Sequence, residues 1–298
     1  MTAGSFPLPT TELEMRPKEF ERIRRMAYDF CGVDLKDKQI LVSARLGKKI
    51  RSLHLPSFTQ YCDQVEADTS GNLFTEMIDA LTTNHTSFFR EVRHFEFLRD
   101  TVLPELPDQS SINIWSAACS TGEEPYTIAF TVIDALGQQA YSRLAIAATD
   151  ISTRVLEKAK KGLYPLTSVE AVSPGVRREC LMRGTGEFSS QCMVKSTTKK
   201  LITFRQWNLL EQCNSIGPFQ VIFCRNVMIY FDQQTQQLVV DNLVSRLAPG
   251  GYLFIGHAES LNGISHSLEY VCTATYRKAG GARSGKAGSQ RRGTIRPR

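Results

Sequence analysis

Between residue 17 and about residue 80, apolar positions recur every three or four residues through PKEFERIRRMAYDF, KDKQILVSARLGKKIRSL, SFTQYCDQVEAD and NLFTEMIDALT. This is the spacing of helices that bury one face, and few strand signals interrupt it. The pattern predicts an all-α N-terminal domain over residues 17–84. From Ile112 the rhythm changes to short apolar runs that alternate with helical stretches. Strands are expected at Ile112–Trp115, Leu144–Thr149, Ile202–Gln206, Gln220–Cys224 and Tyr252–Gly256, with a last one near Tyr270–Tyr276. Helices are expected at Glu124–Leu136, Thr153–Lys161 and Gln233–Leu247. Such alternation predicts an α/β domain, residues 85–276, built on a parallel, doubly wound sheet. It lapses between Pro165 and Lys200, where a short helix around Pro174–Met182 precedes RGTGEFSSQCMVKSTTKK. The turn residues and short alternating run there predict a small antiparallel β insert at about 165–203.

The segment joining the two regions, TTNHTSFFREVRHFEFL, places Phe88 and Phe89 directly before Arg90. Two adjacent Phe residues suit either an interface at a site or ordinary core packing. Residues 1–16 are expected to be flexible.

Composition narrows the classes. The formal charge is +6 over 298 residues, but eight basic residues and no acidic one lie from Arg277 onward. The body is therefore slightly acidic, and specific nucleic-acid binding is not expected. The Gly- and Ser-rich segment 277–298 is predicted to be a disordered basic tail. No apolar run is long enough to span a bilayer, and the first residues lack a basic stretch followed by an apolar one. A cytoplasmic, monomeric protein without membrane insertion is expected. The eight cysteines form no C-x-x-C pair and the five histidines no metal-ligand spacing, so no metal is assigned.

Candidate chemistry gathers where strands end. INIWSAACSTGEEPYTIAF reads as strand, small-residue turn and helix, and the end of such a strand is where open α/β sheets bind ligands. The turn is neither G-x-G-x-x-G nor a G-K-[ST] loop, which removes weight from nicotinamide and nucleoside triphosphate readings. Glu123 and Glu124 at the helix start would repel a polyphosphate but not a cationic ligand bearing hydroxyls. Asp150, ending LAIAATD, is either a ribose handle or a helix N-cap. Asn208 and Leu209, after ITFRQW, are placed to frame a purine through amide and apolar contacts. Arg225 and Asn226 follow QVIFC; Arg225 is either a ligand-facing residue or a structural ion-pair partner. A nucleoside with acidic neighbours and no phosphate cradle points to S-adenosylmethionine, whose sulfonium is cationic.

Six segments in order, LTTNHTSFFRE, SAACSTGEEPYT, ATDI, WNLLE, FCRNVMIYFD and LAPGGYLFIGHAES, closely resemble the CheR family of chemotaxis receptor glutamate O-methyltransferases. The likeness runs from about Lys18 to Tyr276. It implies a helical N-terminal domain, a Rossmann-like methyltransferase sheet and an inserted β-subdomain. It also implies that Asn84, Thr86, Arg90, Glu124, Asp150, Asn208, Leu209, Arg225 and Asn226 lie at the S-adenosylmethionine, with Arg90 and Tyr230 near the transferred methyl. S-adenosylhomocysteine would be the product. Arg45, Lys48, Lys49 and Arg51, within two turns of the second helix, form either a solvated face or a dock for acidic receptor helices. The implied partners are the cytoplasmic helical domains of methyl-accepting chemoreceptors, with a receptor C-terminal tethering peptide on the β insert as a further option. Two other classes stay open: a methyltransferase for RNA or a small molecule, disfavoured because RNVMIY lacks an N-P-P-Y type motif, and a regulator that binds without turnover.

Overall fold

The computed structural model describes residues 13–82, 85–212 and 216–280. Helix α1 (Pro17–Cys31) has Pro17 in its first turn and Glu19 folded back onto the Arg16 backbone, and it stops at Gly32 with φ 73°. A Cβ on Gly32 would lie 2.5 Å from Thr235 Cγ2, so this helix end meets the second half of the chain with no side chain between. Helices α2 (Gln39–Ser52), α3 (Phe58–Ala67) and α4 (Asn72–Leu81) follow. Ile23, Leu46, Ile50, Phe58, Val65 and Met77 close one shared core among α1–α4. Burying each such side chain contributes about 1.5–3 kcal/mol, which holds the bundle together.

Next, α5 (Arg93–Phe97) runs through a π-helical turn, Leu98–Val102, into α6 (Leu103–Glu105). Phe88 is core: its ring stacks on Phe130 at 5.9 Å and meets Tyr164 edge-on at 4.9 Å. The α/β half then contains β1 (Ile112–Ala117), α7 (Glu123–Leu136), α8 (Ala140–Arg143), β2 (Leu144–Asp150) and α9 (Thr153–Lys161). The insert comprises β3 (Leu163–Pro165), α10 (Pro174–Cys180), β4 (Leu181–Arg183) and β5 (Gln191–Val194). After α11 (Ser196–Lys199) come β6 (Ile202–Gln206), β7 (Phe219–Cys224), α12 (Gln233–Arg246), β8 (Leu247–Ile255), β9 (Leu268–Cys272) and β10 (Thr275–Lys278).

The main sheet has seven strands in the order β6-β2-β1-β7-β8-β10-β9. The first five are parallel; β10 is antiparallel to β8, and β9 to β10. Strand order reverses between β1 and β7, so the crevice at their C-terminal ends is where this topology opens a site. The insert is a separate antiparallel sheet, β3-β5-β4.

Four expectations need correction. The sheet is mixed, and the single strand expected near Tyr270–Tyr276 is a hairpin turning at Thr273 and Ala274, with φ 56° at Ala274. Nothing in YVCTATY marks that turn, because the left-handed position carries Ala instead of Gly or Asn. The strand expected at Tyr252–Gly256 starts earlier, at Leu247, and takes Pro249–Gly251 into β8 as a bulge: Phe219 pairs with Leu247, then Val221 with Tyr252. Finally, Arg277 and Lys278 are strand and not tail. Arg277 pairs with Glu105 at 2.8 Å and lies over Tyr252, while Lys278 Nζ donates to the carbonyls of Val244 and Leu247. The remainder of the expected tail, from residue 281, lies outside the described residues, as does most of the N-terminal segment. Among the described residues no helix is long and apolar enough to cross a membrane. Cys31, Cys62, Cys119, Cys180, Cys192 and Cys224 are buried free thiols, consistent with a role as small hydrophobes.

Candidate active site

The turn after β1 is built from left-handed backbone: Ala118 has φ 68°, Ser120 φ 48° and Gly122 φ 99°. Only the last position requires glycine on steric grounds. A Cβ there would lie 2.8 Å from both Ala159 Cβ and the Tyr164 hydroxyl. The turn is stitched down by Cys119 N–H to the Thr149 carbonyl at 2.8 Å and by Tyr164 Oη–H to the Thr121 carbonyl at 2.7 Å. This leaves a smooth backbone floor for a ligand.

Asp150 ends the neighbouring strand. Its carboxylate accepts the N–H groups of Ser120 at 2.8 Å and Ser152 at 3.0 Å. It does not cap α9; the Ser152 side chain does, accepting Val155 N–H. Of the two readings of Asp150, capping is therefore removed. Burial pushes its carboxyl up to about 6, against the two N–H groups that favour the charge. A carboxylate so placed can accept ribose hydroxyls where water is scarce.

Across the turn lies a buried web centred on Arg225. Its guanidinium donates to Glu124 Oε2 at 3.0 Å, to Glu91 Oε2 at 2.9 Å and to the Arg90 carbonyl, and it sits over the Phe95 ring at 5.4 Å. Glu124 also accepts the Ser116 hydroxyl at 2.7 Å, and Glu91 the Asn226 amide at 3.2 Å. Burial raises the Glu124 carboxyl despite Arg225. For Glu91 burial also pulls upward, yet hydrogen bonds and charge from Arg225, with the Asn226 amide, hold it below the usual range. The ion-pair reading of Arg225 is thus the geometry found, although the residue still lines the cleft. Glu91, His94 and His257 each bring one ligand-type atom within 4.8 Å of the others. Both Glu91 oxygens are already engaged by Arg225 and Asn226, so this group belongs to the web.

The remaining expected residues fall into three sets. Thr86, Arg90, Leu209, Asn226 and Tyr230 line the same cleft as Asp150 and Glu124, a space of about 1050 Å³ counted to its open mouth. Arg90 donates to the His85 carbonyl at 2.8 Å. Asn208 also lines it, but its amide N–H donates to the Phe30 carbonyl at 2.7 Å and its oxygen accepts Leu210 N–H, so it ties the helical region to the sheet edge. Asn84 lies outside the described residues. The four basic residues of α2 lie apart from the cleft lining and are not equivalent: Arg45 donates to the Leu81 carbonyl and Lys49 pairs with Glu76 at 2.6 Å, whereas Lys48 and Arg51 are exposed.

Sequence reasoning missed Glu91, Asp79 and Glu259. Asp79, on α4, lines the cleft, accepts Arg154 Nε at 3.0 Å and adds to the upward push on Asp150. Its place in an ordinary amphipathic helix gave no sign of this. The helical region is further joined to the site by Asp34 N–H to the Tyr230 carbonyl at 2.8 Å and by a β-bridge between Val33 and Phe231.

The donor set fits S-adenosylmethionine. The carboxylates of Asp79, Glu124 and Asp150 and the apolar side chains of Ile151, Trp207, Leu209 and Val227 share one cleft, a mixture that suits a cationic nucleoside and offers no phosphate cradle. Residues 84–277 match the family described as "CheR methyltransferase, SAM binding domain", and residues 18–82 match "CheR methyltransferase, all-alpha domain". The chain belongs to the CheR methyltransferase family. Similar relatives include a "Chemotaxis protein methyltransferase" of Salmonella typhimurium, 41% identical over 257 residues, covering 86% of this chain and 88% of that protein. A "Probable chemotaxis protein methyltransferase" of Rhizobium etli is 41% identical over 258 residues, 85% of this chain and 96% of the relative. "Chemotaxis protein methyltransferase 2" of Pseudomonas aeruginosa is 39% identical over 270 residues, 90% of this chain and 95% of the relative. In this CheR methyltransferase, S-adenosylmethionine is the cofactor and the mixed Rossmann-like sheet is its platform.

Proposed function

We propose that this methyltransferase acts in chemotaxis, esterifying glutamate side chains on the cytoplasmic helical domains of chemoreceptors and leaving S-adenosylhomocysteine. The observation that supports the reading is the make-up of the cleft: Asp79, Glu124 and Asp150 line it together with Arg90, which donates to the His85 carbonyl. When bound, the cofactor supplies an electrophilic methyl. Asp150 would hold its ribose, Leu209 and Trp207 its base, and Glu124 and Asn226 the polar wall near its charged end.

An acceptor glutamate has a pKa near ~4.3 and is already ionised at neutral pH, so no general base is required. What the protein contributes is alignment and exclusion of water, effects worth up to roughly 7–11 kcal/mol. Arg90 presents a bidentate guanidinium to the acceptor carboxylate. Tyr230, on the 3₁₀ turn Met228–Tyr230, aligns the acceptor from the other side by its hydroxyl or its ring. Lys48 and Arg51 give α2 an exposed basic edge suited to acidic receptor helices. Strand β4 is an edge of the insert sheet, with Met182 exposed on it, and is open to pairing with an extended receptor tether. The enzyme works as a cytoplasmic monomer recruited to receptor arrays.

Incubation with radiolabelled cofactor and receptor cytoplasmic fragments tests the reading. Alkali-labile label released as methanol is the expected result. Alkali-stable label would point to an amine or nucleic-acid acceptor, and no incorporation to a binding protein.

A further inference from the structure

The segment that carries Asn226 and Tyr230 has little backbone support of its own. Tyr230 N–H reaches the Val227 carbonyl and Phe231 N–H the Met228 carbonyl, each at 3.1 Å. The N–H groups of Asn226, Met228 and Ile229 point instead at one side chain. Glu259 Oε2 accepts Asn226 N–H at 2.9 Å and Gly256 N–H at 2.6 Å, while Oε1 accepts Met228 N–H at 2.8 Å and Ile229 N–H at 3.3 Å. Asn226 itself has φ 58°, a conformation that a non-glycine residue keeps only when its surroundings enforce it. The approach is also close: a Cβ on Gly256 would stand 2.8 Å from Glu259 Oε2 and 2.5 Å from Asn226 Nδ2. Glycine at 256 therefore makes room for the clasp. Four donors on one recessed carboxylate form an anion-binding nest closed by the protein's own side chain.

We propose that Glu259 is a positioning residue for methyl transfer, one that fixes the Asn226–Tyr230 turn so that Tyr230 faces the cleft and the Asn226 amide reaches Glu91. It touches neither cofactor nor acceptor. It acts through the turn, and the inference rests on the role given above to Tyr230. A glutamine at 259 keeps the shape but turns an NH₂ group toward backbone N–H groups, so at most one end of the clasp survives. A displacement of about 1 Å at a reacting site costs on the order of 10²-fold in rate.

Two measurements test this. Amide exchange on the intact protein should show Asn226 and Gly256 N–H protected although neither belongs to a helix or strand, and at least about tenfold less protected in Glu259→Gln. Exchange at the rate of open amides in the native protein would overturn the clasp, whether or not the variant folds. Methyl transfer should fall on the order of 10²-fold in Glu259→Gln, and by a clearly smaller factor when the same change is made in Tyr230→Ala, because the part of the loss that runs through Tyr230 is then already taken and only the part through Asn226 remains. An equal factor in both backgrounds would overturn the positioning role and leave Glu259 as general scaffold. A native rate in Tyr230→Ala alone would count against the role of Tyr230, on which the exchange result does not depend.

Discussion

The α1–α3 surface and the edge of the main sheet both join arginine to two carboxylates, with opposite consequences. Arg22 bonds Asp63 and Glu66, each at 2.6 Å, with the three side chains 28%, 57% and 43% exposed. Arg225 bonds Glu91 and Glu124 at 2.9 and 3.0 Å, with side chains only 2%, 15% and 12% exposed. The distances favour the surface cluster; the surroundings reverse the ranking. Water and salt screen the first, whereas in the second each charge depends on its partner because the solvent has been withdrawn. The buried web costs desolvation and gives in return a fixed arrangement of charge at the cleft wall.

Substitutions at the two clusters should differ sharply in effect. Arg225→Met should have the largest effect, about 3–5 kcal/mol lost in denaturant unfolding, since it strands two buried carboxylates. A loss under ~1 kcal/mol would place Arg225 with the surface pairs. Next comes Asp150, whose carboxyl is pushed up to about 6 by burial. Cofactor affinity measured by calorimetry should fall as pH drops through about 6, and Asp150→Asn should remove that step. Its contribution to stability runs the other way: the folded state holds the proton more tightly than the unfolded chain, so this contribution is full below the ordinary carboxylate range and is lost as pH rises through about 6. A stability curve in Asp150→Asn with the native slope across this window would contradict the assignment. The smallest effect belongs to Arg22→Ala, within ~1 kcal/mol and with unchanged methyl transfer.

Local features of this fold are legible in the sequence and long-range ones are not. The turn Ala117–Gly122 and Asp150 were legible because small residues and a strand-end acid are local signals, and the order of strands and helices followed from periodicity. Arg225 was visible as a residue but not in its pairing, since Glu91 and Glu124 lie more than a hundred positions away in sequence. Glu259 was missed for a related reason: in GHAES it resembles any polar residue after a strand, and its four donors come from backbone, which sequence does not distinguish. Asn208 was expected to frame a base, yet its amide N–H is directed to the Phe30 carbonyl, a partner that exists only once the helical region has docked. The basic face of α2 was legible as composition, but which of its residues serve intramolecular contacts was not.

The proposed function gives the cleft two separate addresses, acids for the cofactor and Arg90 for an acceptor carboxylate. Measuring cofactor affinity and methyl transfer side by side in Arg90→Ala tests it most directly. Transfer should fall on the order of 10²-fold with affinity within about threefold of native. Equal losses in both would make Arg90 a cofactor ligand and contradict the division.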